Sequence, residues 1–338
     1  MDANHWAGAG SLMGISSTER AAALPLLKTI GRIAFVDDDP RFLETLKLTL
    51  PADDLEFYLA PRDLDLLDAR LERNRELLRH ERAWLSDLAH SQLHGATSSA
   101  AHLALRYLAR AERLALVTAL ITDYAMPGRN GIDLSARYEM PGLLRTLLTG
   151  IADEKAAVRA FNDRAIERYL PKQTPSLMAQ LLQLCSDNLA GSGAARAGTT
   201  LSLAVAESLR DMLSEPEIAA SVRDLQQSLG VSEYVVMGAP QGIVCSTSDG
   251  QVLWIQLETA ESLRDLEEVA RENGLGSDVC ARIAKRASIV SEEFMGQLDK
   301  AGSEMPAVVL SERPFLCAAV FPVRDLPQEL TPAVRATA

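Results

Sequence analysis

One stretch constrains the fold of this chain more than any other, LITDYAMPGRNG at positions 120–131. An apolar run ends there in a single carboxylate, Asp123, and a short loop with Met126, Pro127 and Gly131 follows. The pattern predicts a buried strand whose last side chain lies at the carboxyl edge of a parallel sheet, where open α/β folds hold their chemistry. Taken alone, Asp123 is equally well interpreted as a residue that caps the loop.

Short apolar runs recur along the first half of the chain and alternate with stretches of helical spacing. The runs cover residues 32–36, 55–60, 116–123, 145–149 and 166–170. Five buried strands separated by helices predict the α/β class, with a doubly wound five-stranded parallel sheet. Between the second and third strands, leucines at helical spacing across residues 61–114 predict an inserted helical hairpin.

The second half of the chain has strands, then helices, then strands, which predicts an α+β domain with one antiparallel sheet. We predict a flexible N-terminal arm at residues 1–30, the α/β domain at 31–190 and a linker of small residues at 191–200. The α+β domain follows at 201–326, beginning with helices at 201–230, and a loose tail occupies 327–338.

Charge and composition exclude several classes of function. The formal net charge is −12, which gives no support for general binding to nucleic acid or to an anionic membrane. The four cysteines are scattered, which favours buried thiols in a reducing compartment. No apolar run approaches the roughly 18 residues of a membrane span, and the polar start lacks the basic segment of a signal peptide. We therefore expect a cytoplasmic protein.

Four of the predicted strands end in polar residues that suit one kind of chemistry. Asp37 and Asp38 follow the first strand, Asp123 ends the third, Thr149 ends the fourth and Lys172 follows the fifth. Crowded carboxylates repel each other unless a cation neutralises them, and oxygen ligands alone favour Mg²⁺. A hydroxyl and an ammonium group beside such an ion suit the oxygens of a phosphoryl group, and an aspartate can be the nucleophile.

These strand ends resemble the receiver domains of two-component response regulators. The resemblance rests on VDDDP at positions 36–40, DYAMPGRNG at 123–131, LLTG at 147–150 and YLPK at 169–172, and it covers the first domain only. It implies that Asp123 accepts a phosphoryl group from a phosphohistidine on a sensor histidine kinase or a histidine phosphotransfer protein. The expected fold is the flavodoxin-like receiver fold.

The resemblance also implies roles for the residues around Asp123. Mg²⁺ would be held by Asp37, Asp38, Asp123 and the backbone carbonyl of Ala125. The phosphoryl oxygens would be bound by Thr149 and Lys172, and the switch residues would be Tyr169 and Thr149. One departure is that Gln173 follows Lys172 where receivers usually have proline, so the motif does not predict the cis peptide that is usual there.

The resemblance implies a response regulator that switches a C-terminal interaction or sensing domain, with no enzymatic activity beyond self-phosphorylation from small phosphodonors and autodephosphorylation. A homodimer through the hairpin or the helices after the linker is a further expectation. Two alternatives stay open. Asp37 and Asp39 imitate the D-x-D motif of haloacid-dehalogenase-type phosphatases, and an intact but unused site would make the protein a constitutive scaffold.

Two weaker patterns point elsewhere. His90 and His94 are four residues apart, as in transition-metal sites on helices. Residues 222–235 have a faint helix-turn-helix pattern but carry only Arg223 as a basic residue, so we expect no binding to nucleic acid.

Overall fold

The computed structural model describes residues 23–50, 54–150, 154–291, 303–324 and 326–333. In chain order its strands are β1 (Leu27–Lys28), β2 (Arg32–Asp37), β3 (Leu55–Leu59), β4 (Val117–Asp123), β5 (Leu144–Thr149), β6 (Arg168–Pro171), β7 (Val231–Gly238), β8 (Gln241–Thr247), β9 (Val252–Thr259), β10 (Ser288–Val290), β11 (Glu304–Pro306), β12 (Val308–Glu312) and β13 (Phe315–Pro322). Its α-helices are α1 (Pro40–Thr49), α2 (Leu64–Leu93), α3 (Thr97–Leu108), α4 (Gly131–Arg137), α5 (Glu154–Asn162), α6 (Leu177–Ala204), α7 (Glu207–Ser214), α8 (Pro216–Ser228), α9 (Ser262–Glu272) and α10 (Ser277–Ala284).

The first half of the chain forms a five-stranded sheet in the order β3-β2-β4-β5-β6, and every neighbouring pair is parallel. All seven residues of β4 are buried, which explains why the sequence there is largely apolar, with Thr118, Thr122 and Asp123 as its polar residues. Helices cover both faces of the sheet, and the predicted doubly wound, flavodoxin-like α/β fold is confirmed.

The second half forms an antiparallel sheet in the order β1-β7-β8-β9-β13-β12. It confirms the predicted α+β character of this region, but it also recruits a strand that the sequence did not suggest. Leu27 and Lys28 pair with Val235 and Tyr234, and Leu27 is fully buried. The expectation of a flexible arm at residues 1–30 is therefore wrong for Leu27–Lys28, because this short strand covers the edge of β7; residues 1–22 lie outside the described residues.

Helix α2 confirms the predicted helical insertion and belongs to both hydrophobic cores. Leu64, Leu67 and Leu71 pack under the parallel sheet. Further along the same helix, Leu85 and Leu88 pack with residues of the antiparallel sheet. At about 1.5 Å per residue, this 30-residue helix is about 45 Å long. It is a rigid element that joins the two sheets.

The predicted linker at residues 191–200 is wrong, because these residues lie inside α6, which runs without interruption from Leu177 to Ala204. Their small size has a packing reason. A Cβ atom on Gly193 would lie 2.5 Å from the carbonyl oxygen of Leu27, so only glycine allows this approach of α6 to β1. Ala197 is also buried. Gly193 and Ala197 therefore lie on a packed face of a helix, while the division into two domains stays a prediction.

The predicted loose tail is also wrong as far as the structure describes it. A 3-10 turn covers Gln328–Leu330, and Leu330 is buried in the core of the antiparallel sheet. The backbone N–H of Ala333 donates a hydrogen bond to the carbonyl oxygen of Leu108, 2.9 Å away. Residues 327–333 therefore pack against α3, and residues 334–338 lie outside the described part of the chain.

Four charged side chains form a buried cluster between the hairpin, α6 and the antiparallel sheet. This hairpin cluster contains two ion pairs, Arg113 with Glu233 and Arg196 with Glu81, and the four side chains are each no more than 5% exposed. The hydroxyl of Tyr107 donates a hydrogen bond to Glu81, and Arg113 donates to the carbonyl oxygen of Leu108 at 2.7 Å. Positive and negative charges are equal in number, so the cluster is neutral.

In the parts of the chain that the structure describes, no helix combines the length and the apolarity that crossing a bilayer requires.

Candidate functional site

The predicted site residues lie at the carboxyl edge of the parallel sheet. Asp37 is the last residue of β2, Asp123 the last of β4 and Thr149 the last of β5. Lys172 directly follows β6, and its backbone N–H donates to the carbonyl oxygen of Thr149 at 2.8 Å. Since all the strands are parallel, the topology alone brings these four residues to one edge.

Three carboxylates meet at this edge. Asp37, Asp38 and Asp123 each offer an oxygen atom, and these atoms lie within 4.8 Å of one another. Asp37 and Asp123 are buried, at 1% and 6% exposure, whereas Asp38 reaches solvent. The cluster therefore has two anchored carboxylates and one at the entrance.

The ammonium group of Lys172 lies between the two buried carboxylates. Its Nζ is 2.7 Å from Oδ2 of Asp37 and 2.6 Å from Oδ1 of Asp123. The same nitrogen lies 4.9 Å from the centroid of the Phe42 ring on α1, a cation–π distance. Lys172 is thus held on three sides and keeps Asp37 and Asp123 in fixed positions.

Burial and ion pairing act against each other on the proton affinities of these groups. Burial raises the pKa of Asp37, and this outweighs the lowering by its hydrogen bonds from Lys172 and from the backbone N–H of Asp39. Burial by itself would lower the pKa of Lys172, but hydrogen bonds to Asp123 and Asp37 outweigh it and raise that pKa. The ammonium group therefore stays charged, while Asp37 binds a proton more readily than an exposed aspartate does.

The charges at this edge do not balance. Three carboxylates and one ammonium group give a formal net charge of −2, and Asp38 gives access from solvent. The donor set consists of oxygen atoms only, which is the set that Mg²⁺ prefers over softer metals. The residues present therefore fit a divalent hard cation, in agreement with the sequence prediction of Mg²⁺.

The loop after Asp123 is held close to the strand by its own backbone. The N–H of Ala125 donates to Oδ2 of Asp123 at 3.0 Å, and the N–H of Gly131 donates to the carbonyl oxygen of Tyr124 at 3.0 Å. A Cβ atom on Gly131 would overlap the carbonyl oxygen of Asp123 and lie 2.9 Å from a methyl group of Leu147. Glycine is required here because α4 begins directly against the end of β4.

The remaining predicted residues are placed as follows. Thr149 is buried, Ala125 is exposed, and Tyr169 is half-buried on β6, where it packs with Leu147 and Ile166. Their predicted roles, the carbonyl ligand of Ala125, the phosphoryl contact of Thr149 and the switch function of Tyr169, stay predictions. The cis peptides among the described residues precede Pro61, Pro240 and Pro314, and none follows Lys172.

Asp39, the third carboxylate of the VDDDP motif, caps a helix. Oδ1 of Asp39 accepts a hydrogen bond from the N–H of Arg41 at 2.9 Å, so Asp39 is the N-cap of α1. Asp39 is not among the described residues whose ligand atoms form the acidic cluster. This geometry disfavours the phosphatase alternative, which needs Asp37 and Asp39 to act together.

The other two patterns find no support in the described structure. Residues 231–238 form strand β7, so the helix α8 is followed by a strand and not by a recognition helix. The ring centroids of His90 and His94 lie 4.0 Å apart with the rings tilted by 35°, and Nδ1 of His94 contacts the carbonyl oxygen of His90 at 2.8 Å. Among the described residues, the acidic cluster at Asp123 is the group placed to hold a metal ion.

Sequence reasoning missed two neighbours of the site. Phe42 on α1 faces the ammonium group of Lys172, a contact that the sequence does not indicate. Arg129 lies in the loop after Asp123 and forms an ion pair at 2.8 Å with Asp68 on α2. A cation inside that loop is a signal that the sequence contains, but its partner is 61 positions away and becomes visible only in the fold.

No protein-family model matches this chain, and no curated protein matches it either. Among solved structures, the Legionella pneumophila response regulator LqsR is similar, with 20% sequence identity, a TM-score of 0.63 and coverage of 91% of this chain and 92% of that one. A receiver domain from Clostridium thermocellum shares 19% identity over 47% of this chain and 94% of its own, with a TM-score of 0.28. The second score is too low to carry an argument.

The similarity to LqsR spans both sheets and the helices that join them, because it covers nine-tenths of each chain. The resemblance to response-regulator receivers that the sequence predicted is therefore confirmed at the level of the fold, and this chain has the receiver fold joined to a C-terminal antiparallel sheet.

Proposed function

We propose that this protein is a response regulator of a two-component system that accepts a phosphoryl group on Asp123. One observation carries the proposal: Asp37, Asp38 and Asp123 converge around the single ammonium group of Lys172 and leave a net charge of −2 beside an accessible carboxylate. Such a site binds a divalent cation and a phosphoryl group together. The solved structure that matches most of the chain is described as a response regulator, which agrees with this function.

Mg²⁺ would be held by Asp37, Asp38, Asp123 and the backbone carbonyl of Ala125. When bound, it neutralises the negative charge of the phosphoryl oxygens during transfer. Before transfer, Lys172 orients the carboxylate of Asp123 through the 2.6 Å contact to Oδ1. The anionic form is the one that can act as a nucleophile.

The phosphoryl donor is a phosphohistidine of a histidine kinase or of a histidine phosphotransfer protein. One oxygen of Asp123 forms a bond to phosphorus while the bond from phosphorus to the imidazole nitrogen breaks, and the electron pair stays on that nitrogen. Lys172 and the hydroxyl of Thr149 then bind the oxygens of the transferred group, since both residues end neighbouring strands. Thr149 and Tyr169 act as switch residues that report the new charge.

Phosphorylation then changes the state of the C-terminal region, which interacts with a partner or senses a ligand in the cytoplasm and does not bind DNA. The hairpin or the helices after α6 support a homodimer. Chemical turnover is limited to self-phosphorylation from small phosphodonors and to autodephosphorylation. This output is a proposal from the resemblance and from the way α2 and α6 enter both cores.

The test is to incubate the protein with Mg²⁺ and acetyl phosphate and to measure its intact mass. We expect wild type to gain the mass of one phosphoryl group, stable in acid and labile in base, and Asp123→Asn to gain none. The matched control is Asp39→Asn, which changes a neighbouring carboxylate but keeps a good N-cap, and it should label like wild type. Equal labelling of Asp123→Asn and wild type would contradict the assignment.

A further inference from the structure

A second polar cluster lies next to the loop that follows Asp123. Asp68 on α2 is its centre, and this Asp68 junction consists of Asp68, Arg129, Arg137 and Tyr138. Nη1 of Arg129 lies 2.8 and 3.0 Å from the two oxygens of Asp68, and the hydroxyl of Tyr138 donates to Oδ1 at 2.8 Å. Arg137 contributes a longer contact of 3.3 Å. The loop after Asp123 is therefore tied to the first turns of α2.

The loop is fixed at both of its ends. At one end the N–H of Ala125 binds Oδ2 of Asp123, and at the other Arg129 binds Asp68. A phosphoryl group on Asp123 carries about −1.5 to −2 charges, which replace the single charge of the carboxylate, and it changes the acceptor that Ala125 contacts. A change in the loop position must then either break the Arg129 ion pair or move α2 with it.

Helix α2 runs without interruption from the Asp68 junction to the antiparallel sheet. Near its middle, Asn74 is fully buried and makes two hydrogen bonds with the backbone of Val117, Nδ2 to the carbonyl at 2.9 Å and Oδ1 from the N–H at 2.8 Å. Beyond Asn74, Leu85 and Leu88 pack into the core of the antiparallel sheet. The helix therefore contacts the strand that leads to Asp123 and the second core.

The far end of α2 contacts the backbone of β7. Oε1 of Gln92 accepts a hydrogen bond from the N–H of Gly238 at 2.6 Å, and Gln92 is 5% exposed. Gly238 is tightly enclosed, because a Cβ atom there would overlap the carbonyl oxygen of Ala204 at the end of α6. A displacement of α2 along its axis would therefore disturb the hydrogen bond between Gln92 and Gly238 at the end of β7.

We propose that the Arg129–Asp68 ion pair couples the phosphorylation state of Asp123 to the antiparallel sheet, with α2 as the moving element and Gln92–Gly238 as its far contact. The inference rests on the proposed function and extends it, because it names the element that carries the signal. Arg129 and Asp68 are positioning residues here and do not contact the phosphoryl group. The coupling depends on the long inserted helix α2.

The pKa directions agree with a firm ion pair. Burial raises the pKa of Asp68, but hydrogen bonds from Arg129 and Tyr138 outweigh burial and lower it. The hydrogen bond to Asp68 raises the pKa of Arg129. Both side chains are therefore charged at neutral pH, and at 26% and 18% exposure they are partly shielded from solvent.

Amide hydrogen exchange, read by mass spectrometry on the full chain with and without acetyl phosphate and Mg²⁺, tests the coupling. Intact mass measures phosphorylation separately. In wild type we expect exchange in residues 84–93 and 231–238 to change on the order of fivefold upon phosphorylation, at the lower end of typical coupling free energies. Arg129→Met should accept the phosphoryl group to the same extent and lose the change in both segments.

Two further variants keep the test decisive. Arg137→Met removes a cation that also faces Asp68 but is 52% exposed and more distant, and it should keep the wild-type response. Asp68→Asn keeps an acceptor for Tyr138 while removing the charge, and it should lose the response as Arg129→Met does. Melting temperatures confirm that each variant is folded.

The outcomes separate the two proposals. If phosphorylated Arg129→Met or Asp68→Asn responds like wild type, or if phosphorylated wild type shows no change at residues 84–93 and 231–238, the coupling through α2 is wrong and the proposed function stands. If wild type gains no phosphoryl mass, the proposed function fails and the coupling fails with it.

Discussion

Two groups of charged side chains in this molecule differ in their net charge. At the carboxyl edge of the parallel sheet, Asp37, Asp38 and Asp123 exceed the single cation Lys172. In the hairpin cluster, two arginines and two glutamates cancel. The first group also reaches solvent through Asp38, whereas every side chain of the second is at most 5% exposed.

The difference teaches how to distinguish a site from a structural network. In a balanced cluster each charged side chain has a partner of opposite charge, and the role of the hairpin cluster is to hold the hairpin against the antiparallel sheet. An unbalanced cluster with an open side needs an external cation, and a phosphoryl group can bind that cation. Burial of charge is common to both, so burial alone would not have identified the site.

The largest expected effect on stability comes from removing one charge of the hairpin cluster. Arg113→Met leaves Glu233, at 1% exposure, as an unpaired buried charge, which we expect to lower the free energy of unfolding by about 3–5 kcal/mol. Urea denaturation measures the change. The control is Arg271→Met, whose ion pair with Glu267 is 63% exposed on the arginine side and should contribute about 0–1 kcal/mol.

Phosphorylation of the same variant, Arg113→Met, tests whether the two clusters have separate functions. Since the hairpin cluster is structural, the folded fraction of Arg113→Met should accept a phosphoryl group from acetyl phosphate at the wild-type rate. A folded variant that no longer labels would show that the two clusters are not separate in function.

The next effect comes from the unbalanced cluster. Mg²⁺ at one hundred times its dissociation constant should raise the free energy of unfolding of wild type by about 2.7 kcal/mol, because it binds the folded state only. Asp38→Asn removes the accessible ligand and should lose most of this gain, whereas Asp39→Asn should keep it. Thermal unfolding across a Mg²⁺ titration measures both, and stabilisation of Asp38→Asn equal to that of wild type would contradict the ligand assignment.

A smaller effect is expected at Gly131, where α4 closely approaches the end of β4 beside Asp123. Gly131→Ala forces α4 away from the end of β4, at a cost of about 1–3 kcal/mol typical of overpacking, and should slow labelling by acetyl phosphate. Gly95→Ala is the control at the tip of the hairpin. It has a φ of +68° but no heavy atom within 4 Å of the new Cβ, so it should cost about 1–2 kcal/mol and leave labelling unchanged.

The smallest effect concerns pH at the Asp68 junction. Because the pKa of Asp68 is lower in the folded state than in the unfolded chain, its stabilisation is complete above the ordinary aspartate pKa and is lost as the pH falls through the lowered value. We expect Asp68→Asn to be less stable than wild type near pH 6 by up to about 1 kcal/mol. This difference should disappear toward pH 2, and urea denaturation at several pH values measures it. A difference independent of pH would mean that the charge of Asp68 does not contribute.

The parallel sheet and its edge could be predicted from the sequence because the relevant signals are local. Each strand is a short apolar run, and each functional side chain follows its own strand directly, as Asp123 follows residues 117–122. Parallel topology then brings the ends together without any knowledge of side-chain contacts. Gly131 belongs to the sequence motif, and the structure shows why glycine is needed there: a Cβ atom would overlap the carbonyl oxygen of Asp123.

What the sequence did not reveal depends on partners far along the chain. Asn74 and Glu81 looked like interruptions of a leucine pattern, but they bind the backbone of Val117 and the side chain of Arg196. The small residues of α6 looked like a linker because composition does not show that Gly193 must approach the backbone of Leu27. Small size serves flexible linkers and close helix packing equally well, so only the fold decides between them.

The central claim is that Asp123 carries the phosphoryl group, and the most direct test is to locate that group in the wild-type chain. After incubation with acetyl phosphate and Mg²⁺, reduction of the acyl phosphate with borohydride marks the modified aspartate, and peptide mass spectrometry identifies it. We predict a single mark, on Asp123, that requires Mg²⁺. A mark on Asp37 or Asp39 with Asp123 unmodified would contradict the account and favour the phosphatase alternative.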